Sequence, residues 1–476
     1  MQFDSDYKML IDGELVGAND TIDVVNPATE EAFATCPRAS SDDLEAAVSA
    51  AKRAFSSWKK TPIEERRSAL RKASALIMEH ADAFASLFTK EQGRPTAIAK
   101  EEIMGAAYWF AGTADLDLPV DVTEDTDTRR IEVHHEPLGA VCAIVPWNFP
   151  VLLASWKIAP AILTGNTIVL KPSPFTPLCT LKLGELLQDV FPPGVINIIS
   201  GGDELGPWMT SHKGFSKITF TGSTATGRKV MESASSDLKK VTLELGGNDA
   251  AIVLPDVDVD KVAEQIFAGA FSNTAQICVA TKRLYVHEAI YDAMRDRLHD
   301  LAKAATVGDG SNQGNRFGPI QNKAQFDRVT NLLEDAKTSG LTMLYGSDVP
   351  KKGFFIPLTI VDNPPENSRV VQEEAFGPIL PMMKFSDIDE VIDRVNDTEY
   401  GLAGAVWSSD IEKATKVAAA MESGTVWINQ NLQSTPLTPL TGHKQSGVGS
   451  ENGVYGLREF TQPKAIYIPK SASNVA

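Results

Sequence analysis

Apolar residues recur at three- and four-residue intervals early in the chain and collect into short continuous runs later, so the pattern predicts helices first and alternating strands and helices afterwards. Asp42-Asp43-Leu44-Glu45 opens a stripe of Leu44, Ala47, Val48, Ala51, Phe55 and Trp58, which predicts a helix burying one face. Thr61-Pro62-Ile63-Glu64 announces the next, with an N-cap hydroxyl, a proline for the first turn and a carboxylate able to return to the cap. Its stripe of Leu70, Ala73, Leu76, Ile77, Phe84 and Leu87 reads as one continuous helix. Both helices are best explained by core packing.

From about residue 139 the buried-strand pattern takes over in 140–145, 167–170, 195–199 and 217–220, with helical stretches between. This spacing predicts an α/β, doubly wound parallel sheet, whose strand ends are the usual place for a dinucleotide. A second α/β series follows Glu244, with strands at 250–254 and 283–286 and helices around 258–271 and 288–305. Residues 117–136 break the pattern: the alternation and charge of Arg129-Arg130-Ile131-Glu132-Val133 predict an edge hairpin leaving the body of the domain.

A length of 476 residues suits two or three domains, and 43% hydrophobic with 22% charged residues is ordinary globular composition. A net charge of −17 disfavours nucleic acid or an anionic membrane as a partner. Cys36, Cys142, Cys179 and Cys278 are too sparse for a disulfide framework, so a reducing, cytoplasmic setting is expected. The acidic start Met1 to Tyr7 has neither the basic nor the apolar region of a signal peptide, and no apolar run reaches the roughly 18 residues of a membrane span.

Chemistry concentrates around Cys278, which follows the polar segment Ser272-Asn273-Thr274-Ala275-Gln276 and precedes Lys282-Arg283. A thiol near positive charge can react as thiolate, although a Cys between Ile277 and Val279 also fits a small buried hydrophobe. Partners for a reacting thiol exist elsewhere. Glu244, in Leu243-Glu244-Leu245-Gly246-Gly247, ends an apolar run where burial would raise its pKa toward that of a general base. Asn148, in Pro146-Trp147-Asn148-Phe149-Pro150, offers an amide donor between a strand and a helix, suited to an oxyanion.

With these motifs in order (PWNFP, FTGST, LELGG, QxC and EExFGP) the sequence resembles the aldehyde dehydrogenase superfamily over nearly its whole length. The resemblance implies a variant Rossmann cofactor domain (1–116 and 138–246), an α/β catalytic domain (247–445) and a small β oligomerisation arm (117–137 and 460–470). It implies oxidation of an aldehyde with NAD, with NADP possible, and a homodimer or homotetramer. Cys278 would be nucleophile, Glu244 base and Asn148 oxyanion donor, with Lys157 and Glu451 relaying protons behind the base. Cofactor contacts would come from Pro146, Trp147, Lys171, Phe220, Gly222, Ser223, Leu245, Glu374 and Phe376, and Trp156, Phe149, Ile277 and Val279 would flank an apolar substrate tunnel. No metal site is expected.

Three departures from the family pattern bear on this reading. Pro174 stands where a ribose-binding carboxylate is common, Ala275 where glycine is usual, and Leu440-Thr441 where Phe-Gly is common. The stretch 220–227 is not a GxGxxG fingerprint, and by itself also fits a structural turn. Alternative readings are a coenzyme A-acylating enzyme, a catalytically silent relative serving as a structural or binding protein, and a cofactor-independent cysteine hydrolase.

Overall fold

The computed structural model describes residues 2–470 and is built on two large sheets. In the first, the strands Ile196–Ile198, Thr167–Lys171, Ala140–Ile144, Lys217–Thr221 and Lys240–Glu244 lie side by side in that order, all parallel. Short antiparallel strands close its edges, Met9–Ile11 followed by Glu14–Val16 at one end and Gly447–Val448 at the other. Successive strands step outward in opposite directions from the pair Ala140–Ile144 and Lys217–Thr221, so the switch point of a doubly wound sheet lies between them.

The second sheet has seven strands, six of them parallel, running from Thr342–Tyr345 through Arg283–His287 and Ala250–Val253 to Thr425–Ile428. Its central strands are buried on both faces. Ala251 and Val253 enter one apolar core while Ala250, Ile252 and Leu254 enter the other, which is why the sequence there reads as a continuous apolar run. The hairpin Asp121–Asp125 and Arg129–Pro137 pairs with the C-terminal strand Thr461–Pro469 in a separate three-stranded antiparallel sheet.

Two helix expectations change. The stripe from Leu70 to Leu87 spans two helices, Ile63–Glu79 and Ala81–Gln92, because His80 leaves helical geometry and its Nδ1 bonds the Leu76 carbonyl at 3.0 Å. The second change is at the start of the first of these helices: Pro62 is its N-cap, and no side chain caps it, so Thr61 does not play the part expected of it. The preceding helix, Ser41–Trp58, is capped by a reciprocal Ser40 and Asp43 capping box. Among the described residues no helix is long and apolar enough to cross a membrane.

Candidate active site

The C-terminal edge of the first sheet carries most of the candidate residues from the first half of the chain. Strand Ala140–Ile144 runs into Pro146, Trp147 and Asn148, strand Lys217–Thr221 into Gly222 and Ser223, and Lys171 and Glu244 end their own strands. Asn148 is buried, and its Nδ2 donates to the Gln276 carbonyl at 3.0 Å, two residues before Cys278. That bond joins an edge of the first sheet to the turn leading into the second.

The turn itself is strained. After the helix Val259–Phe271, Asn273, Thr274 and Ala275 take φ of 51°, 54° and 61°, the left-handed region that costs a side-chain-bearing residue about 1 kcal/mol or more. Ala275 therefore does occupy a position where glycine would be unstrained. Side chains hold the turn in place: Thr274 Oγ1 donates to the Gly318 carbonyl at 2.9 Å, and Gln276 Nε2 to that of Asn273 at 2.9 Å. Asn273 Oδ1 accepts from Arg94 Nε at 3.1 Å and Gln92 Nε2 at 3.2 Å.

Arg94 was not apparent as a site residue from the sequence. Its Nη1 pairs with Glu102 at 2.7 Å and its Nη2 donates to the Asn148 carbonyl at 2.7 Å, while its guanidinium lies 4.2 Å from the centroid of the Phe149 ring. Glu102 also accepts from the backbone of Val151 and Leu152, the open N-terminus of the helix Pro150–Leu163. The available signal was positional: Arg94 sits between Gly93, which ends one helix, and Pro95, which precedes the next.

Cys278 is half-buried, and burial pushes its thiol up to about 12, with Lys282 opposing and Asp249, Glu244 and Glu374 adding to the rise. The electropositive setting expected from Lys282-Arg283 is therefore only partly present. Arg283 turns away, donating to the carbonyls of Asn248 and Val395. Burial outweighs Lys282, so the thiol needs a base or a change of field to ionise.

Glu244 is buried, neither carboxylate oxygen meets a protein donor, and its carboxyl lies well above the usual range through burial and the charge of Glu451, with Lys157 opposing. Lys157 and Glu451 form a fully buried ion pair, and Lys157 Nζ also donates to Thr219 Oγ1 at 3.3 Å. The Leu440 and Glu451 backbones exchange hydrogen bonds at 2.8 Å. Leu440 also lines the cavity above Cys278, so the departure at that position touches both the relay pair and the cavity.

The cavity measures about 540 Å³ and brings Cys278 and Asn148 together with Phe149, Trp156, Ile277 and Val279, the four expected tunnel residues. Trp427, Leu432 and Leu440 extend its apolar wall. Trp156 stacks on Trp109, whose Nε1 donates to Asn452, next to Glu451, at 2.9 Å.

The residues at the switch point fit a dinucleotide. A Cβ on Gly222 would come within 2.5 Å of the Phe220 ring, and one on Gly246 within 2.4 Å of Glu374, so both positions need glycine for these side chains to pack against the backbone. Lys171 is buried with only the Pro172 carbonyl as acceptor at 3.2 Å, and burial brings its ammonium down to about 8 against the pull of Asp203 and Glu204. The Trp147 and Phe376 rings meet edge to face at 5.4 Å. Leu245 packs against Gly227, and Ser223 uses its hydroxyl to cap the helix Thr224–Ser235, leaving its backbone for other contacts. Among the described residues no cluster of three metal-ligating side chains occurs.

Residues 15–466 match the model of the aldehyde dehydrogenase family. Aldehyde dehydrogenase LUC3 from a Fusarium species is 41% identical over 467 residues, covering 98% of this chain and 99% of that protein. An aldehyde dehydrogenase from Bacillus cereus, solved as an NAD+ complex, superposes with a TM-score of 0.96 at 35% identity over 98% of both chains. A structure described as an E. coli NADP dependent enzyme gives 0.94 at 37% identity over 97% of this chain and 98% of that one. The chain belongs to the aldehyde dehydrogenase family, and its mixed α/β fold is that of the family's solved members.

Proposed function

We propose that the protein oxidises an uncharged, apolar aldehyde to its carboxylic acid with NAD, tolerating NADP, by a hydrolytic route through Cys278. The observation that carries this reading is the meeting of Cys278 and Asn148 in one apolar cavity, with Glu244 close enough to raise the thiol. Glu244 takes the Cys278 thiol proton and releases it through the Lys157–Glu451 pair, the Cys278 Sγ adds to the carbonyl carbon, and the oxygen takes up the negative charge. Asn148 Nδ2 keeps one hydrogen beyond that given to Gln276, and together with the Cys278 backbone N–H it is assigned to that oxygen.

A bound nicotinamide supplies the acceptor for the hydride lost from the aldehyde carbon. The thioester left on Cys278 is then open to water. Glu244, with a raised pKa and no competing donor, takes the water proton as the hydroxide attacks, and the Lys157–Glu451 pair behind it stabilises and passes on that proton. The acid leaves and the thiol is restored. Lys171, Glu374, Trp147 and Phe376 are assigned to the cofactor's ribose and ring ends, and Gly222 and Ser223 to its phosphates.

Assembly through the three-stranded arm is part of the same proposal. The strands Asp121–Asp125 and Thr461–Pro469 are both edges, with Val122, Tyr467 and Ile468 exposed, as a subunit interface requires. The cysteines are all free, which suits a reducing compartment such as the cytoplasm.

Cys278→Ala tests the core of the proposal: aldehyde oxidation should disappear while NAD binding, followed by protein fluorescence, stays near normal. Substantial turnover in that variant would sink the mechanism. Appearance of an acyl-coenzyme A product with the wild type would replace water by a thiol acceptor and overturn the hydrolytic step alone.

A further inference from the structure

Lys282 has a more specific place than a nearby positive charge. Its ammonium, nearly buried, donates to the carbonyls of Ile277 at 3.0 Å, of Cys278 itself and of Ala280. These carbonyls belong to the segment that carries the thiol, so one side chain ties it down from within. The same nitrogen lies 3.4 Å from Glu374 Oε1, and Glu374 also accepts from the Gly247 backbone at 3.3 Å. Asp249 adds a second buried carboxylate nearby, holding the Ala403 N–H at 3.0 Å and leaving its Oδ2 without a protein donor. The charged groups acting most directly on Cys278 are thus one cation, Lys282, and the three carboxyl groups of Glu244, Asp249 and Glu374, while Arg94, Glu101 and Glu102 line the same cavity.

We propose that Lys282 is a positioning residue for the nucleophile: it fixes the Cys278 backbone through its carbonyl bonds, and its charge favours the thiolate to an extent that Glu374 limits by pairing with it. The inference rests on the assignment of Cys278 as nucleophile. Its physical basis is Coulombic. At a half-buried thiol a nearby cation favours the thiolate, and a carboxylate 3.4 Å from that cation cancels much of its field. Glu374 therefore acts as a brake on thiol reactivity as well as a candidate ribose ligand. Lys282 and Glu374 should move Cys278 in opposite directions, which a purely steric clamp would not do.

The test is the rate of Cys278 alkylation by iodoacetamide between pH 6 and 10 in the full-length protein without aldehyde or cofactor, read at that peptide by mass spectrometry. Lys282→Met should slow alkylation at pH 8 by about tenfold, the change in thiolate fraction for one pKa unit. Lys282→Arg should stay within about threefold of wild type, since it keeps the charge and a donor. Glu374→Gln should accelerate the reaction by about threefold or more, with its pH profile displaced to lower pH. Equal slowing in Lys282→Met and Lys282→Arg with an unshifted profile would reduce Lys282 to a structural clamp. Slowing in Glu374→Gln would overturn the proposal even if Lys282→Met failed to fold. Aldehyde turnover does not enter this measurement, so failure of the nucleophile assignment would show separately, as oxidation surviving in Cys278→Ala.

Discussion

Replacing Arg94 by methionine should expose how much the reacting groups depend on a buried charge in the cavity wall. The guanidinium is nearly fully buried and makes three separate kinds of contact: the Glu102 ion pair at 2.7 Å, the Asn148 carbonyl at 2.7 Å and Asn273 Oδ1 at 3.1 Å. Methionine keeps much of the apolar contact with Phe88 and Phe149 but leaves Glu102 without its cation. Breaking one side of a buried pair costs about 3–5 kcal/mol, because the remaining charge stays desolvated. Glu102 retains two backbone donors, Val151 and Leu152, which places the expected loss at the lower end, about 3 kcal/mol.

Part of this loss depends on pH, and its sign can be worked out. Burial already pushes the Glu102 carboxyl up to about 7, with Arg94 the largest opposing influence, so Arg94→Met raises it further. A carboxyl whose folded pKa lies above its unfolded value costs nothing while protonated in both states, and costs progressively more as pH rises toward the folded value. Wild type has incurred its share by about pH 7, whereas the variant goes on losing stability above it, so the gap between their thermal midpoints should open above that pH. Scanning fluorimetry at one heating rate from pH 6 to 9 reads this without assuming reversible unfolding. Adding Glu102→Gln to Arg94→Met removes the stranded charge and should restore part of the midpoint at pH 9. In steady-state assays kcat should fall by about 10- to 100-fold as Asn148 and Asn273 lose their anchor. A pH-independent loss, or a double variant no more stable than the single one, would refute the ion-pair account.

Glu244→Gln should lower steady-state turnover by about 100-fold or more while a single-turnover burst of reduced cofactor survives, and unchanged turnover would remove Glu244 as the base. The low-pH limb of wild-type kcat should lie above the usual carboxylate range; Lys157→Met should move it to higher pH and Glu451→Gln to lower pH, since Lys157 lowers and Glu451 raises the Glu244 pKa. Ala275→Gly should raise the thermal midpoint by releasing about 1 kcal/mol of left-handed strain, and a fall would show that the alanine methyl contributes more through packing. NAD should be preferred over NADP by less than about 100-fold in kcat/KM, under roughly 2.7 kcal/mol, and Pro174→Glu should widen that preference; no change in the variant would place cofactor selection elsewhere, with Asp203 and Glu204 beside Lys171 the next residues to change.

Legibility in the sequence followed the range of the interactions involved. Parallel strands buried on both faces, such as Ala140–Ile144 and Ala250–Val253, announce themselves as apolar runs because each residue answers to local burial. The ordered motifs likewise single out Cys278, Asn148, Phe149, Trp156, Ile277 and Val279, which line one cavity. The break at His80 was hidden, since both helices bury the same kind of stripe and the interruption rests on one backbone conformation. Arg94 and Glu102 were hidden for a different reason. Their meaning comes from Asn148, Asn273 and a helix N-terminus that are distant in sequence, and a lone Arg or Glu gives no sign that it is buried. The effective environment of Cys278 was misjudged on the same ground: Lys282 was visible, but the carboxylates opposing it, Glu374 and Asp249, enter from other strands and loops.

The helix Pro150–Leu163 explains why these distant pieces must be solved together. Asn148 stands just before its start, Glu102 holds its first free amides, and Trp156 and Lys157 lie side by side at its middle. Adjacent helical residues point about 100° apart, so Trp156 enters the substrate cavity while Lys157 reaches Glu451 behind Glu244. One rigid element thus sets the distance between Asn148, the cavity wall and the Lys157–Glu451 pair. The buried pair Arg94–Glu102 holds its N-terminus and the buried pair Lys157–Glu451 holds its middle, and both are expensive to desolvate. Charge burial at these points is then a requirement of alignment, and changes to either pair should move catalysis more than their effect on stability alone would produce.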